Sequence, residues 1–228
     1  MAQSSTGKSP PGLRQLATVA ILTGWAALLL QLWLTVSIVS AQGRGWPMGL
    51  VVYFGFFTIL TNLLATMALS AWRIGPGFPG YRWLTDPVTL TTAAAAITIV
   101  GLVYFFILRH TWKPEGAQFV ADAMLHYVMP TLVVLFWAWA VQARSIGWDR
   151  VPWLLVYPLL YLVYVFVRGE IVALYPYEFI DVLKIGYLAA LRNSVALLAA
   201  YALVVGVYAG LKGLMHRRGH GESKGLQS

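Results

Sequence analysis

Between Leu16 and Leu211 the chain is a succession of six apolar runs. Each is close to the roughly 20 residues that a helix needs to cross a hydrocarbon layer about 30 Å thick. Lipid offers the backbone no hydrogen bonds, so such runs must satisfy their own N–H and C=O groups, and a helix does so within one segment. The expected fold is therefore all-α: a polytopic bundle of six transmembrane helices over residues 14–211. With 59% hydrophobic and only 11% charged residues, the chain leaves no room for a water-soluble domain. The net charge of +8 does not point to nucleic acid, because the basic residues fall in short loops and tails. Cysteine is absent, which excludes disulfides, thiolate nucleophiles and cysteine metal sites.

Residues 1–13 are polar and rich in Ser, Gly and Pro, and are expected to be a disordered tail. Helix 1 spans Leu16 to Ser40, too long for a signal-peptide core. After the break at Gln42 to Pro47, helix 2 covers Gly49 to Ala71. Trp72 to Trp83 has the Gly, Pro and aromatic content of a loop at headgroup level. Asp86 followed by Pro87 is an N-cap with proline at the first helical position, opening helix 3, which runs to Leu108. Arg109 to Gly116 is polar, helix 4 covers Gln118 to Val141, and Arg144 to Arg150 is a short basic loop. Helix 5 starts at Pro152, bends at Pro158 and ends near Arg168. Gly169 to Tyr187 carries Glu170, Glu178, Asp181 and Lys184, which predicts an extended or re-entrant cap over the bundle. Helix 6 spans Leu188 to Leu211, and residues 212–228 form a basic tail expected to be disordered.

Six spans put both termini on one side. Ten of the 16 Lys and Arg fall in the tails and in the 2–3 and 4–5 loops, so the positive-inside rule makes both termini cytoplasmic in a multi-pass cell-membrane protein. Helix 2 then enters from the outer face at Gly49, and Thr58 lies roughly 13 Å down at 1.5 Å per residue. Helix 4 enters from the same face at Gln118, and His126 lies roughly 12 Å down. The two share a depth. Around that level helix 2 presents Thr58, Thr61 and Asn62 on one face, and helix 4 presents Asp122 and His126 on another. Arg168 and Glu170 end helix 5; Arg192, Asn193 and Ser194 begin helix 6. The inner halves carry no charge. A pocket open outward and closed below argues against a channel or transporter, whose path crosses both halves.

A threonine hydroxyl becomes a nucleophile when a base takes its proton, and neutral imidazole is the usual base near pH 7. Thr58 and His126 fit those roles. Asp122 would orient the ring, and Asn62, Arg168 or a tyrosine would donate to a developing oxyanion, with an ester entering from the bilayer as substrate. Each residue also has a plainer role. Thr58 would return a hydrogen bond to the carbonyl four residues back, Asn62 would hold helices together, Asp122–His126 would be a structural pair, and Arg168–Glu170 an interfacial ion pair. A zinc site built from Asp122 and His126 with Glu170, Asp181 or His110 is the competing chemistry. A non-catalytic lipid-binding or sensing protein is another reading of the same pocket. Two axial histidines within the membrane are lacking for a cytochrome, and no cofactor is expected.

The pieces FFTILTNLLA (Phe56 to Ala65), LHYVMP (Leu125 to Pro130), YPLLYLVYVFVRGE (Tyr157 to Glu170), YPYEFIDV (Tyr175 to Val182) and LRNSVALL (Leu191 to Leu198) resemble, in the same order, bacterial members of the androgen-induced-gene and androgen-dependent TFPI-regulating protein family. Its animal members are multi-span membrane hydrolases of fatty acid esters of hydroxy fatty acids that use a threonine and a histidine. The resemblance implies Thr58 as nucleophile and His126 as its partner; Tyr175, Tyr177, Asp181, Thr61, Asn62, Arg168, Glu170 and Asn193 are the candidate supporting or substrate-binding residues. The chain departs from the animal pattern in a His126-to-Pro130 spacing one residue shorter and in Thr61-Asn62 where those proteins have an acidic residue.

Overall fold

The computed structural model describes residues 10–141 and 148–225. The expected tail before position 10 and Arg144, at the head of the expected 4–5 loop, lie outside the described residues. The described helices are α1 (Pro11–Ala41), α2 (Gly45–Gly55), α3 (Phe57–Ile74), the single turn α4 (Tyr81–Leu84), α5 (Pro87–Phe106), α6 (Gly116–Ala123), α7 (Met129–Ala140), α8 (Val151–Val172) and α9 (Val182–Gly225). Among the described residues there is no strand, and six helices are long and apolar enough to cross a membrane, with α6 and α7 together forming one of them. The protein is an all-α, multi-pass membrane bundle. Helix α9 runs to Gly225 among the described residues.

Helix α5 is the centre. Ala93, Ala94, Ala95 and Ala96 are all buried, and side chains this small let neighbouring backbones approach closely in lipid, where no hydrophobic force drives helices together. The large apolar residues Leu22, Trp33, Leu188 and Leu203 point outward, as a lipid-facing surface requires. Asp86 caps α5 as its sequence predicts, its Oδ1 accepting from the Val88 N–H at 2.8 Å, with Pro87 in the first turn. Helix α8 continues across Pro158, which cannot donate to Leu154. The Tyr201 hydroxyl of α9 donates to that carbonyl instead, at 3.0 Å.

The expected single helix from Gly49 to Ala71 is in fact two. Phe56 is extended (φ −80°, ψ 128°), so α2 stops and α3 starts anew one residue before Thr58. The Thr58 N–H donates to the Tyr177 hydroxyl and the Ile59 N–H to the Phe56 carbonyl, which leaves the Phe54 and Gly55 carbonyls without their in-helix donors. Side chains of α8 replace them. Tyr164 donates to Phe54 O at 3.2 Å, Tyr161 to Gly55 O at 3.0 Å, and Arg168 Nη2 to Val51 O at 3.0 Å. Residues 161, 164 and 168 are three and four apart and so share one face of α8. Gly55 is required for this approach, since a Cβ there would lie 3.2 Å from the Arg168 guanidinium carbon.

Arg168 therefore does not pair with Glu170. Residues two apart on a helix do not face each other, and Arg168 spends its donors on Val51 and Leu174 carbonyls. Glu170 instead accepts from Tyr175 at 2.8 Å and Tyr187 at 2.7 Å, tying the loop 173–181 to the start of α9. Helix α8 outlasts its expected end at Arg168, reaching Val172, and the cap shrinks to that loop plus a first turn of α9 that ends in a break at Gly186 (φ 76°, ψ 161°). The main part of α9 thus begins next to the expected start, Leu188. Asp181 caps this first turn through Leu183 N–H, and Asn193 Nδ2 donates to Phe179 O at 2.8 Å.

Tyr161→Phe removes one hydroxyl and leaves the buried Gly55 carbonyl with no donor. Such a loss costs roughly 1–3 kcal/mol, and the thermal unfolding midpoint in detergent should fall; an unchanged midpoint would show that the break at Phe56 does not rest on α8.

Candidate active site

His126 occupies the middle of a five-residue π-helical segment, Met124–Val128, between α6 and α7. Pro130, four residues on, cannot donate to the His126 carbonyl, and a local change of helical pairing follows from that missing bond. Gly101 of α5 packs on this point: a Cβ there would be 3.3 Å from the His126 carbonyl oxygen and 3.5 Å from Pro130. The π turn directs the imidazole across to α3, where Thr58 is the second residue of its helix.

The hydrogen bonds order their own protons. His126 Nδ1 lies 2.9 Å from the Asp122 backbone carbonyl, which can only accept, so Nδ1 carries the proton and Nε2 its lone pair. Nε2 lies 3.4 Å from Thr58 Oγ1, and the threonine must be the donor. Tyr177, descending from the loop 173–181, accepts the Thr58 N–H at 3.3 Å and lies 3.4 Å from Thr58 Oγ1, to which its own proton is directed. The Asp122 carboxylate, 3.4 Å from Nδ1, adds negative charge beside the ring. Thr58 makes no bond back to Phe54, whose carbonyl belongs to Tyr164. Burial pushes the Tyr177 phenol above its usual range, against a smaller opposing pull from its hydrogen bonds with Thr58, so the group stays a neutral donor.

Tyr104 of α5 was not anticipated. Its ring stacks on His126, centroids 4.2 Å apart and planes within 22°, so it holds the plane of the ring. It read as one more aromatic near a helix end. Gln31 and Gln118 were also missed: they form a reciprocal amide pair at 2.8 and 3.4 Å between α1 and α6. A glutamine within an apolar run was the available signal. These residues border a cavity of about 310 Å³ that contains Thr58, His126, Asp122 and Tyr177 on its walls.

The other expected site residues support this cavity or lie apart from it. Asn62 does not face it; its Nδ2 donates to the Thr58 carbonyl at 2.8 Å and the Leu125 carbonyl at 3.3 Å, joining α3 to the π segment. Thr61 pairs with the Tyr157 hydroxyl at 3.1 Å. Arg168 holds backbone, Tyr175 and Glu170 hold each other, and Asp181 and Asn193 hold the cap, so none of these lines the cavity. The zinc ligands are not brought together. Among the described residues no group of three His, Cys, Asp or Glu converges, Glu170 being taken by tyrosines and Asp181 by the α9 cap.

No protein-family model matches the chain, and neither the curated proteins nor the solved structures contain a match to it.

Proposed function

We propose that this protein is an integral membrane hydrolase of lipid esters, with Thr58 as nucleophile and His126 as general base. The observation that carries the reading is the Thr58 Oγ1 to His126 Nε2 contact at 3.4 Å, with the Nδ1 proton already committed to a carbonyl. In the first step Thr58 Oγ1 bonds to the ester carbonyl carbon while its proton passes to Nε2. The tetrahedral intermediate collapses, the alkoxy oxygen leaves with the proton from Nε2, and an acyl-threonine remains. Water then gives its proton to Nε2, attacks the acyl carbon, and releases the acid and the restored hydroxyl. The Tyr177 hydroxyl is the donor beside the developing oxyanion, and the N-terminal end of α3 adds the positive end of its dipole.

The segments that resemble the androgen-induced-gene family place the same threonine and histidine in these roles. The distribution of Lys and Arg supports cytoplasmic termini, which puts the cavity in the outer half of the cell membrane, where an ester reaches it from the bilayer.

Thr58→Ala and His126→Ala should each lower kcat for a fatty ester by at least about 10³-fold, with folding monitored by size exclusion. Retained turnover would remove the dyad, and co-purified lipid that stays chemically intact in the wild type would favour a binding protein. Asp122→Asn should cost much less than the roughly 10⁴-fold seen where a carboxylate alone fixes the tautomer, because here a backbone carbonyl does so. A loss equal to that of His126→Ala would overturn the proton assignment.

The phenol of Tyr177 supplies a pH test. Its folded value is raised, so the stabilisation from keeping it neutral is complete below the ordinary phenol value of about 10 and is lost only as pH rises through the folded value. Turnover should therefore show no descending limb before about pH 10. A fall centred there would mean that Tyr177 titrates as a free phenol.

A further inference from the structure

Thr58, Leu108 and Tyr177 border a second cavity as well, of about 80 Å³, whose walls do not include His126. Its walls come from α5 (Ile99, Val103), α8 (Leu162) and α9 (Leu197, Tyr201), with Ser194 at its side. The Ser194 hydroxyl is bonded to the Ala190 carbonyl at 2.8 Å, so it offers the cavity no free polar group. Neither Asp122, His126 nor the Gln31–Gln118 pair reaches it; those line the larger cavity alone. The candidate nucleophile thus stands at the junction of a polar chamber and an apolar cleft.

Resting on the hydrolase reading, we infer that the α5–α8–α9 cleft binds the acyl chain of the ester and that the alcohol portion occupies the larger chamber beside α1 and α6. The assignment follows from proton transfer. His126 must return its proton to the departing alkoxy oxygen, so that oxygen and the carbons beyond it lie on the histidine side of Thr58. The acyl carbons, on the opposite side of the carbonyl, are directed into the cleft. A cavity of about 150 Å³ lined by aliphatic side chains holds a benzene-sized molecule, so the cleft accepts the first few acyl carbons. The half-buried rim at Val103, Leu162, Leu197 and Leu198 lets a longer chain pass out between helices into the bilayer. Acyl length is therefore read at Ser194 and Leu197, independently of the alcohol.

The test uses para-nitrophenyl esters from acetyl to dodecanoyl with the full-length protein in detergent. Ser194→Phe, which fills the cleft, should lower the ratio of octanoyl to acetyl kcat/KM at least tenfold, and Leu197→Ala, which opens it, should raise that ratio. Both ratios unchanged in an active, correctly folded protein would overturn the acyl assignment and leave the hydrolase reading intact. A second readout needs no turnover: Thr58→Ala protein is irradiated with the para-nitrophenyl ester of a diazirine-bearing octanoic acid. Cross-links on α9 around Leu197 and Leu198 support the cleft even if the wild type hydrolyses nothing, an outcome that would defeat the hydrolase reading alone. Cross-links on α1 or α6, or none, would overturn the inference.

Discussion

The interruption of the second span at Phe56 is the constraint on which the remainder of the molecule depends. A continuous helix would bury the Thr58 N–H in its own ladder and leave no room for a hydroxyl from the loop to meet it. Breaking a helix inside lipid is costly, because each freed carbonyl needs a new donor where water is absent. Here one face of α8 supplies them: Tyr161 reaches the Gly55 carbonyl and Tyr164 the Phe54 carbonyl, while Arg168 adds a bond to the Val51 carbonyl and Tyr157 meets the Thr61 hydroxyl. The guanidinium also places positive charge by the C-terminal end of α2, the end that favours a cation. The opposite, N-terminal end of α3 is what Thr58 occupies.

The histidine side uses a second irregularity of backbone. A π segment turns His126 toward α3, and the Asp122 carbonyl determines which ring nitrogen keeps its proton. From that one acceptor the remaining protons follow in sequence through Nε2, the threonine hydroxyl and the Tyr177 phenol. Tyr104 and Asp122 keep the ring in plane, and Asn62 joins the two helices by their carbonyls. Both irregular points are positioned without any charge pair across the helices, which suits a medium where an unmatched charge is expensive.

Much of this was legible in the chain. Apolar length alone defines the spans, and the fixed rise of a helix places Thr58 and His126 at one depth, 3.4 Å apart once the helices pack. Asp86-Pro87 announces the start of α5 by local chemistry. The interruption at Phe56 was not legible, because no proline or polar residue marks it; it exists through tertiary donors on α8. The Arg168–Glu170 pair was misread for the converse reason: opposite charges close in sequence suggest an ion pair, but helical geometry sends them to different faces. Tyr104 carries no pattern of its own and gains meaning only from what it touches, whereas Gln31 and Gln118 show in the sequence only as glutamines in or at the edge of apolar runs.

The central claim is that the Thr58 hydroxyl, activated by His126, forms a covalent bond with an acyl or acyl-like carbon or phosphorus. The most direct measurement is peptide mass spectrometry of the full-length protein after treatment with a fluorophosphonate. The account predicts a single adduct on Thr58 that is lost in His126→Ala. An adduct at any other residue, or ester turnover that continues with Thr58 unlabelled, would contradict it.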